Sequence, residues 1–548
     1  MIFRGLIAAV AGAVVVTSSL AVAAPAKPKS DATEVLLASN FPIYDRVIDP
    51  MTAAIRAMLA TAGQEGAFLD KRDTAGVAEY YAERGYTPAW TVDGRLTERA
   101  KKLIVRLHQA EADGLPDVYR TPVIGMGEVV PASIAITARA EVLLSQAIVM
   151  YARHATSGRL DPADISANFE YDRHLPDPVA VLSDLATTTA DPAAALAAYN
   201  PTHPEFIALR DKLAEIRASE TERPPLVPEG NNLKLGMTDA RIVLLRERLN
   251  VTSFAADPNL FDENVDLAVK AFQEQSGLKP DGIVGKGTLG RLNSAADDHV
   301  STILANMERW RWMPKDLGQY YVRVNIPNFN LEIYRDGGAV YTTRIVVGDT
   351  GHQTPVFSHQ IEHVIVNPTW NVPASIAVKE MLPEIQANPA ALRGYQVFAN
   401  IDGRFRAVDP MMVDWYTVDM RRIQIKQPPG ERNALGSIKF MFPNPFSVYL
   451  HDTPSKSFFE RDYRALSHGC MRVMNPWEFA EVLLASDPNV SAAKLKKLVG
   501  GRETRVDLTN SIPVHITYFT AWVDETGELQ VRDDIYGHDS KVEKALGV

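Results

Sequence analysis

Residues 464–473, RALSHGCMRV, hold the only cysteine in a chain of 548 residues. A thiol attacks a carbonyl as its thiolate, and near its ordinary pKa of about 8.5 only about 3% is ionised at pH 7. A neighbouring imidazole that takes the proton raises that fraction. Two histidines are candidates. His468 stands two residues before Cys470, and His451 stands nineteen before it. His451 closes the run FSVYLHDTP, which reads as a strand and would give its ring a rigid support. Asp452 follows directly and can orient that ring through its carbonyl or its side chain. His468 lies in the same tight turn as the thiol. Gly469 lets the chain approach a substrate with no side chain in the way. The amides of Gly469 and Cys470 are then expected to face a developing oxyanion. Ser467 is a competing nucleophile, but no G-x-S-x-G elbow surrounds it. Zinc needs three or four ligands at recognisable spacing, and the chain offers neither C-x-x-C nor H-E-x-x-H, so no metal or cofactor is expected. The plain alternative for a lone cysteine is a small buried hydrophobe.

Those residues need elements to hold them, and the chain is long enough for several domains. Its 46% hydrophobic and 23% charged residues describe an ordinary globular composition. A formal net charge of -10 argues against a nucleic-acid partner, which would need a basic face. Residues 1–23 read as a signal peptide. Arg4 supplies the positive start, 6–16 the apolar core, and Ala21-Val22-Ala23 the cleavage site. Export to the periplasm follows, or an inner-membrane anchor if the leader stays. No later segment reads as long and apolar enough to span a membrane. With one cysteine no internal disulfide can form, so packing must supply stability.

Residues 24–36 are small and polar and read as a linker. From 37 to 225 the period is helical. Thr97 is placed to cap a helix carrying Leu103, Ile104, Leu107 and Ala110 on one face. A second helix carries Ala140, Leu143, Leu144, Ala147 and Met150. Aromatics cluster in YYAERGYTPAWTVDGRL and are assigned packing only. A proline-rich boundary, TERPPLVPEGNN, precedes a compact three-helix module at 232–295. Thr238 is its expected first cap, with Ile242, Leu245 and Leu249 inward, followed by Val265, Ala268, Val269 and Phe272. Gly277 is the expected stop of that second helix. Residues 296–316 read as a connecting helix, with Trp310 and Trp312 as packing residues. From 317 to 505 the period becomes that of strands, with a hairpin turn at Asp336-Gly337-Gly338. A polar, partly helical insertion at about 375–440 interrupts them, a candidate lid. Residues 506–548 read as a last hairpin and tail.

Two strings resemble known families. G-L-x-x-D-G-x-V-G-x-x-T-L, at Gly277 to Leu289, resembles the peptidoglycan-binding three-helix module of cell-wall enzymes. His451 followed by Ser467-His468-Gly469-Cys470-Met471-Arg472 resembles the H-x(n)-[ST]-H-G-C signature of the L,D-transpeptidases, whose catalytic domain is of the YkuD type. NPTWNVP, NALGSIKFMFPNPFSVYLHDTP and the order of segments are similar to the large Gram-negative branch of that family. The fold implied is multidomain α+β, with a helical scaffold, the binding module, and a β-rich catalytic domain around a sandwich-like core. The resemblance implies that Cys470 attacks the L-centre carbonyl of a tetrapeptide stem, releasing D-alanine and forming a thioacyl-enzyme. An amine of a second stem then attacks and makes a 3→3 cross-link. His451 is the implied base, while His468, Gly469, Ser467 and Asp452 shape the site. Arg472, which stands where many members have asparagine, and Trp370 are the implied substrate contacts. Carbapenems acylate such cysteines as a class. The implied partners are donor and acceptor stem peptides, with other cell-wall proteins also admitted. A thiol hydrolase on the same stems and a non-catalytic wall-binding scaffold are the competing readings, the second weakened by the complete His451/Cys470 pair.

Overall fold

The computed structural model describes residues 49–61, 70–119, 121–122, 133–220, 226–252, 257–275, 278–294 and 299–548. The expected leader, the linker and the helix stop at Gly277 lie outside the described residues. In the helical part, Thr97 Oγ1 accepts the Ala100 N–H at 3.1 Å and starts the helix Glu98–His108. Leu103, Ile104, Leu107 and Ala110 are buried as the period requires. The helix Ile134–Ser157 has 24 residues and is apolar enough, by length and composition, to cross a bilayer, against the expectation that none would be. It is the core helix of this part, buried on most of its surface. Its Glu141 has no exposed surface. The carboxylate accepts from the backbone of Ala89, Trp90 and Thr91 and from the hydroxyls of Thr91 and Tyr81. Five donors offset the cost of burying the charge and tie down the aromatic stretch.

The small module has its own core of Val227, Ile242, Leu245, Phe261, Val265, Val269, Val284, Leu289 and Leu292. Val227 belongs to it, and Asn293 bonds both its N–H and its carbonyl, so the module begins before the expected 232. The expected cap at Thr238 is not used: the helix Arg241–Arg248 starts after Ala240, and the Asp239 carboxylate accepts the Arg241 N–H at 2.9 Å. Buried Gln273 donates to Asp281, Thr288 and the Ile283 carbonyl and accepts from Gly282, which fixes the Asp281-Gly282 turn.

The strands in chain order are β1 (Thr91–Val92), β2 (Arg95–Leu96), β3 (Phe169–Glu170), β4 (Tyr320–Asn325), β5 (Asn330–Arg335), β6 (Gly338–Gly348), β7 (Val356–Val366), β8 (Trp370–Asn371), β9 (Gln396–Ile401), β10 (Arg404–Val408), β11 (Ile423–Gln427), β12 (Ile438–Met441), β13 (Leu450–His451), β14 (Ala465–Ser467), β15 (Met471–Val473), β16 (Thr504–Thr517), β17 (Ala521–Val523) and β18 (Leu529–Val531). Asp336 and Gly337 both have positive φ, as the tight turn between β5 and β6 demands. The main sheet runs β12-β13-β15-β6-β5-β4-β16-β7-β3. β12 also pairs with β7. The pairing path therefore returns on itself, a closed ring of strands rather than two separate sheets of a sandwich. Val322, Val324, Leu331, Ile345, Val364 and Val514 fill its interior, all fully buried.

Further expected boundaries move. A break at 505/506 would cut β16, a 14-residue strand bonded to β7 on one side and β4 on the other. The C-terminal segment is thus part of the ring, because its apolar residues supply a wall the other strands lack. The helix Val300–Trp312 is more than a connector, since Ile303 to Trp312 are all buried. The insertion begins earlier than 375 and ends before 440. It is a folded unit with the sheet β10-β9-β11-β8 and its own core of Ile385, Leu392, Val397, Trp415 and Ile425. β12 already belongs to the main ring.

Candidate active site

Nineteen residues of sequence separate His451 from Cys470, and a parallel strand pair removes that separation. β13 and β15 align Leu450 with Met471 and His451 with Arg472. The Met471 N–H donates to the Tyr449 carbonyl at 3.1 Å, so Cys470 stands beside Tyr449. Side chains alternate along a strand. Tyr449 and His451 therefore share a face with Cys470 and Arg472. On the other side of β13, Lys439 of β12 aligns with His451. The Tyr449 and His451 rings lie 5.7 Å apart, edge to face, and Lys439 Nζ sits 4.9 Å from the Tyr449 ring centre. Three adjacent strands thus aim a thiol, an imidazole, a phenol and two cations into one place.

The His451 ring is buried, and its Nδ1 donates to the Asp452 carbonyl. The carbonyl can only accept, so Nδ1 carries the proton and Nε2 presents a lone pair. Of the two routes by which Asp452 was expected to orient the ring, the backbone carbonyl is the one used. The carboxylate instead accepts from Ser437 N–H and Oγ, Thr453 N–H and Lys456 Nζ at 2.7–2.9 Å. Burial works to raise its pKa, but the bonds from Lys456 and Ser437 prevail and hold it below the usual range. The backbone that supplies the carbonyl is thereby pinned.

Burial, reinforced by the Arg472 charge, depresses the His451 pKa to about 3. Burial also pushes the Cys470 thiol up, against the hydrogen bonds of Tyr449 and the charges of Lys439 and Arg472. Burial depresses both Lys439 and Arg472. Tyr449 is raised, by burial first and then by the charge and hydrogen bond of Cys470. Both shifts favour the neutral forms of the thiol and of the imidazole. Negative charge on the sulfur would be favoured by the two cations and by the Tyr449 hydrogen bonds.

The remaining residues divide. Cys470 is a free thiol and partly exposed. Gly469 has φ +103, a conformation that side chains avoid, and it allows the tight turn. Ser467 is buried and donates to the Cys470 carbonyl at 2.6 Å, which makes it a brace of the turn. The Gly469 amide is directed at Ser467 Oγ, at 3.3 Å, so the expected pair of oxyanion amides reduces here to that of Cys470. His468 makes its contacts with the insertion and with the loop after β6. It is exposed, its Nε2 meets Glu380 Oε1 of the insertion at 2.5 Å, and its ring lies 4.6 Å from that of His352. Arg472 lies over the Phe458 ring at 5.5 Å. Trp370 lies outside this cluster, in β8 of the insertion sheet, paired with Gln427 and 6.5 Å from the Tyr395 ring. Sequence reasoning missed Tyr449, Lys439 and Glu380. The alternation Tyr449-x-His451 was a usable signal for the first. Lys439 and Glu380 had none, because a register and a lid contact bring them in.

Three segments match known families. Residues 319–495 match the "L,D-transpeptidase catalytic domain" (YkuD), 238–292 the "Putative peptidoglycan binding domain", and 75–213 the "Scaffold domain". A Haemophilus influenzae protein described as a "Putative L,D-transpeptidase" is 34% identical over 256 residues, 46% of this chain and 51% of that relative. The chain thus spans about half the length of the curated relative it matches. Among solved structures, an L,D-transpeptidase from Xylanimonas cellulosilytica is 16% identical, with coverage of 53% of this chain and 99% of that one and a TM-score of 0.16. One from Mycobacterium smegmatis is 11% identical, with coverage of 36% and 58% and a TM-score of 0.19.

Proposed function

From a chain that carries an L,D-transpeptidase catalytic domain and a peptidoglycan-binding domain, we propose that Cys470 forms a thioacyl-enzyme on tetrapeptide stems and passes the acyl group to an amine of a second stem. The carrying observation is the parallel pairing of β13 with β15, which puts His451 and Cys470 on one face, with the His451 ring fixed by the Asp452 carbonyl. His451 Nε2 takes the thiol proton as sulfur attacks the L-centre carbonyl. Lys439, Arg472 and Tyr449 stabilise the charge on sulfur, and the Cys470 amide serves the oxyanion. His451 then returns the proton to the departing D-alanine amine. The incoming amine loses its proton to the same nitrogen as the thioester breaks, which restores the thiol. The product is a 3→3 cross-link. This reading puts the working protein at the cell wall, in the periplasm, with the leader 1–23 cleaved or kept as an inner-membrane anchor. Mass spectrometry of products from purified tetrapeptide muropeptides tests it. Cross-linked dimer with free D-alanine is expected, and tripeptide alone would make the protein a hydrolase.

The insertion bears on that balance, because water competes with the amine for the thioester. Its Glu380 reaches His468, two residues from the nucleophile. Glu380→Gln should loosen that contact and raise the hydrolysed share of product. A single exposed polar contact is worth at most about 1 kcal/mol, so the rise should not exceed about fivefold. The ratio of tripeptide to dimer measures it.

The separate core of the binding module supports a second expectation. Deletion of 226–294 should weaken retention on isolated sacculi more than turnover of short soluble stems. Co-sedimentation compares the two proteins, and equal retention would reduce the module to a spacer.

A further inference from the structure

The catalytic turn is held from behind by residues far from it in sequence. The β6 end, Gly348, donates its N–H to Thr354 Oγ1 at 2.8 Å. Thr354 Oγ1 donates in turn to the Gly469 carbonyl at 2.8 Å. Tyr536, in the C-terminal segment, donates its hydroxyl to the Gly348 carbonyl at 2.5 Å and accepts the Thr354 N–H at 3.3 Å. Thr354 has no exposed surface, and Tyr536 is buried. The Tyr536 N–H donates to the Tyr518 hydroxyl, which donates to Asp534, so the phenol is itself anchored. The backbone is crowded here. A Cβ on Gly348 would lie 2.1 Å from the His352 carbonyl oxygen, so the loop 349–354 closes only over a glycine.

A peptide unit is planar and trans, so its C=O and the following N–H point in opposite directions. Fixing the Gly469 carbonyl on Thr354 fixes the direction of the Cys470 N–H on the other side of the same plane. With the Gly469 amide turned to Ser467, that N–H is the donor left for the oxyanion. We propose that Thr354 and Tyr536 are positioning residues that aim the Cys470 amide at the substrate oxyanion, which makes the C-terminal segment part of the catalytic apparatus. Tyr536 lies beyond 495, where the match to the catalytic domain ends. The inference rests on the acyl-transfer reading of Cys470.

Two reactions of the same thiol test it in the full-length protein. Acylation by a carbapenem builds an oxyanion, whereas alkylation by iodoacetamide displaces iodide at a saturated carbon and builds none. Thr354→Val keeps the volume and removes the hydroxyl. It should slow acylation roughly 10–100-fold, below the loss from deleting an oxyanion donor outright. Alkylation should stay within about twofold, and Thr354→Ser should restore acylation. If Thr354→Val does not fold, Tyr536→Phe carries the same comparison with a smaller loss. Equal loss of both reactions, or acylation at the wild-type rate, overturns the proposal. A wild-type protein that is alkylated at Cys470 but never acylated would instead overturn the acyl-transfer reading, and this inference with it.

Discussion

Cys470→Ala should bring release of D-alanine and formation of cross-linked product down to the background, with retention on sacculi unchanged. On the proposed reading the sulfur is the attacking atom, and the sequence has no other cysteine to replace it. Ser467 offers a hydroxyl nearby, but it is buried and spends its hydrogen on the Cys470 carbonyl. The substitution removes one partly exposed atom from a turn held by other bonds, so its cost to stability should be about 1 kcal/mol. Retention should survive because the module's core contains no residue of the catalytic ring. Mass spectrometry of the products and co-sedimentation with sacculi measure the two effects. Residual cross-linking by the alanine variant would remove Cys470 from the mechanism.

His451→Ala should slow thioester formation by about 10²–10⁴-fold, the usual worth of general-base help. The pH dependence identifies the base more sharply than the rate does. With its pKa held near 3, His451 is already unprotonated throughout pH 5–9. The thiol, raised above its ordinary value by burial, stays protonated over most of that range. Wild-type acylation by a carbapenem should therefore be nearly flat from pH 5 to 8, its acid limb lying far lower. Without His451, attack depends on the rare free thiolate, so the rate should climb about tenfold per pH unit until the thiol ionises. His468→Ala keeps the base and should keep the flat profile, whatever its effect on rate through Glu380. Intact mass against time, at several pH values, reads all three proteins. A flat profile in His451→Ala with a climbing one in His468→Ala would exchange their roles.

Local order explains why much of this chain was readable before any tertiary contact was known. The 3.6-residue period located Leu103, Ile104 and Leu107 on a buried face, and Thr97 marked where that helix starts. Alternation and the Asp336-Gly337 turn located β5 and β6. The residues around the lone thiol named its candidate chemistry, since few side chains can ionise, accept a proton and form an acyl bond. Each of these signals acts within a few residues.

What local signals lacked was register and closure. His451 lies on the same strand face as the thiol because β13 pairs in parallel with β15, and no residue pattern states that pairing. The same pairing, with β12 alongside, brings in Tyr449 and Lys439. β16 looked like a tail because its own residues alternate like those of any edge hairpin. Its place between β7 and β4 is set by the ring, which can close only with that strand. The pKa values follow the same division. Sequence determined that a thiol and an imidazole are present. Only the tertiary structure decided that both favour their neutral forms, because burial penalises each charged form and is a property of everything packed around them.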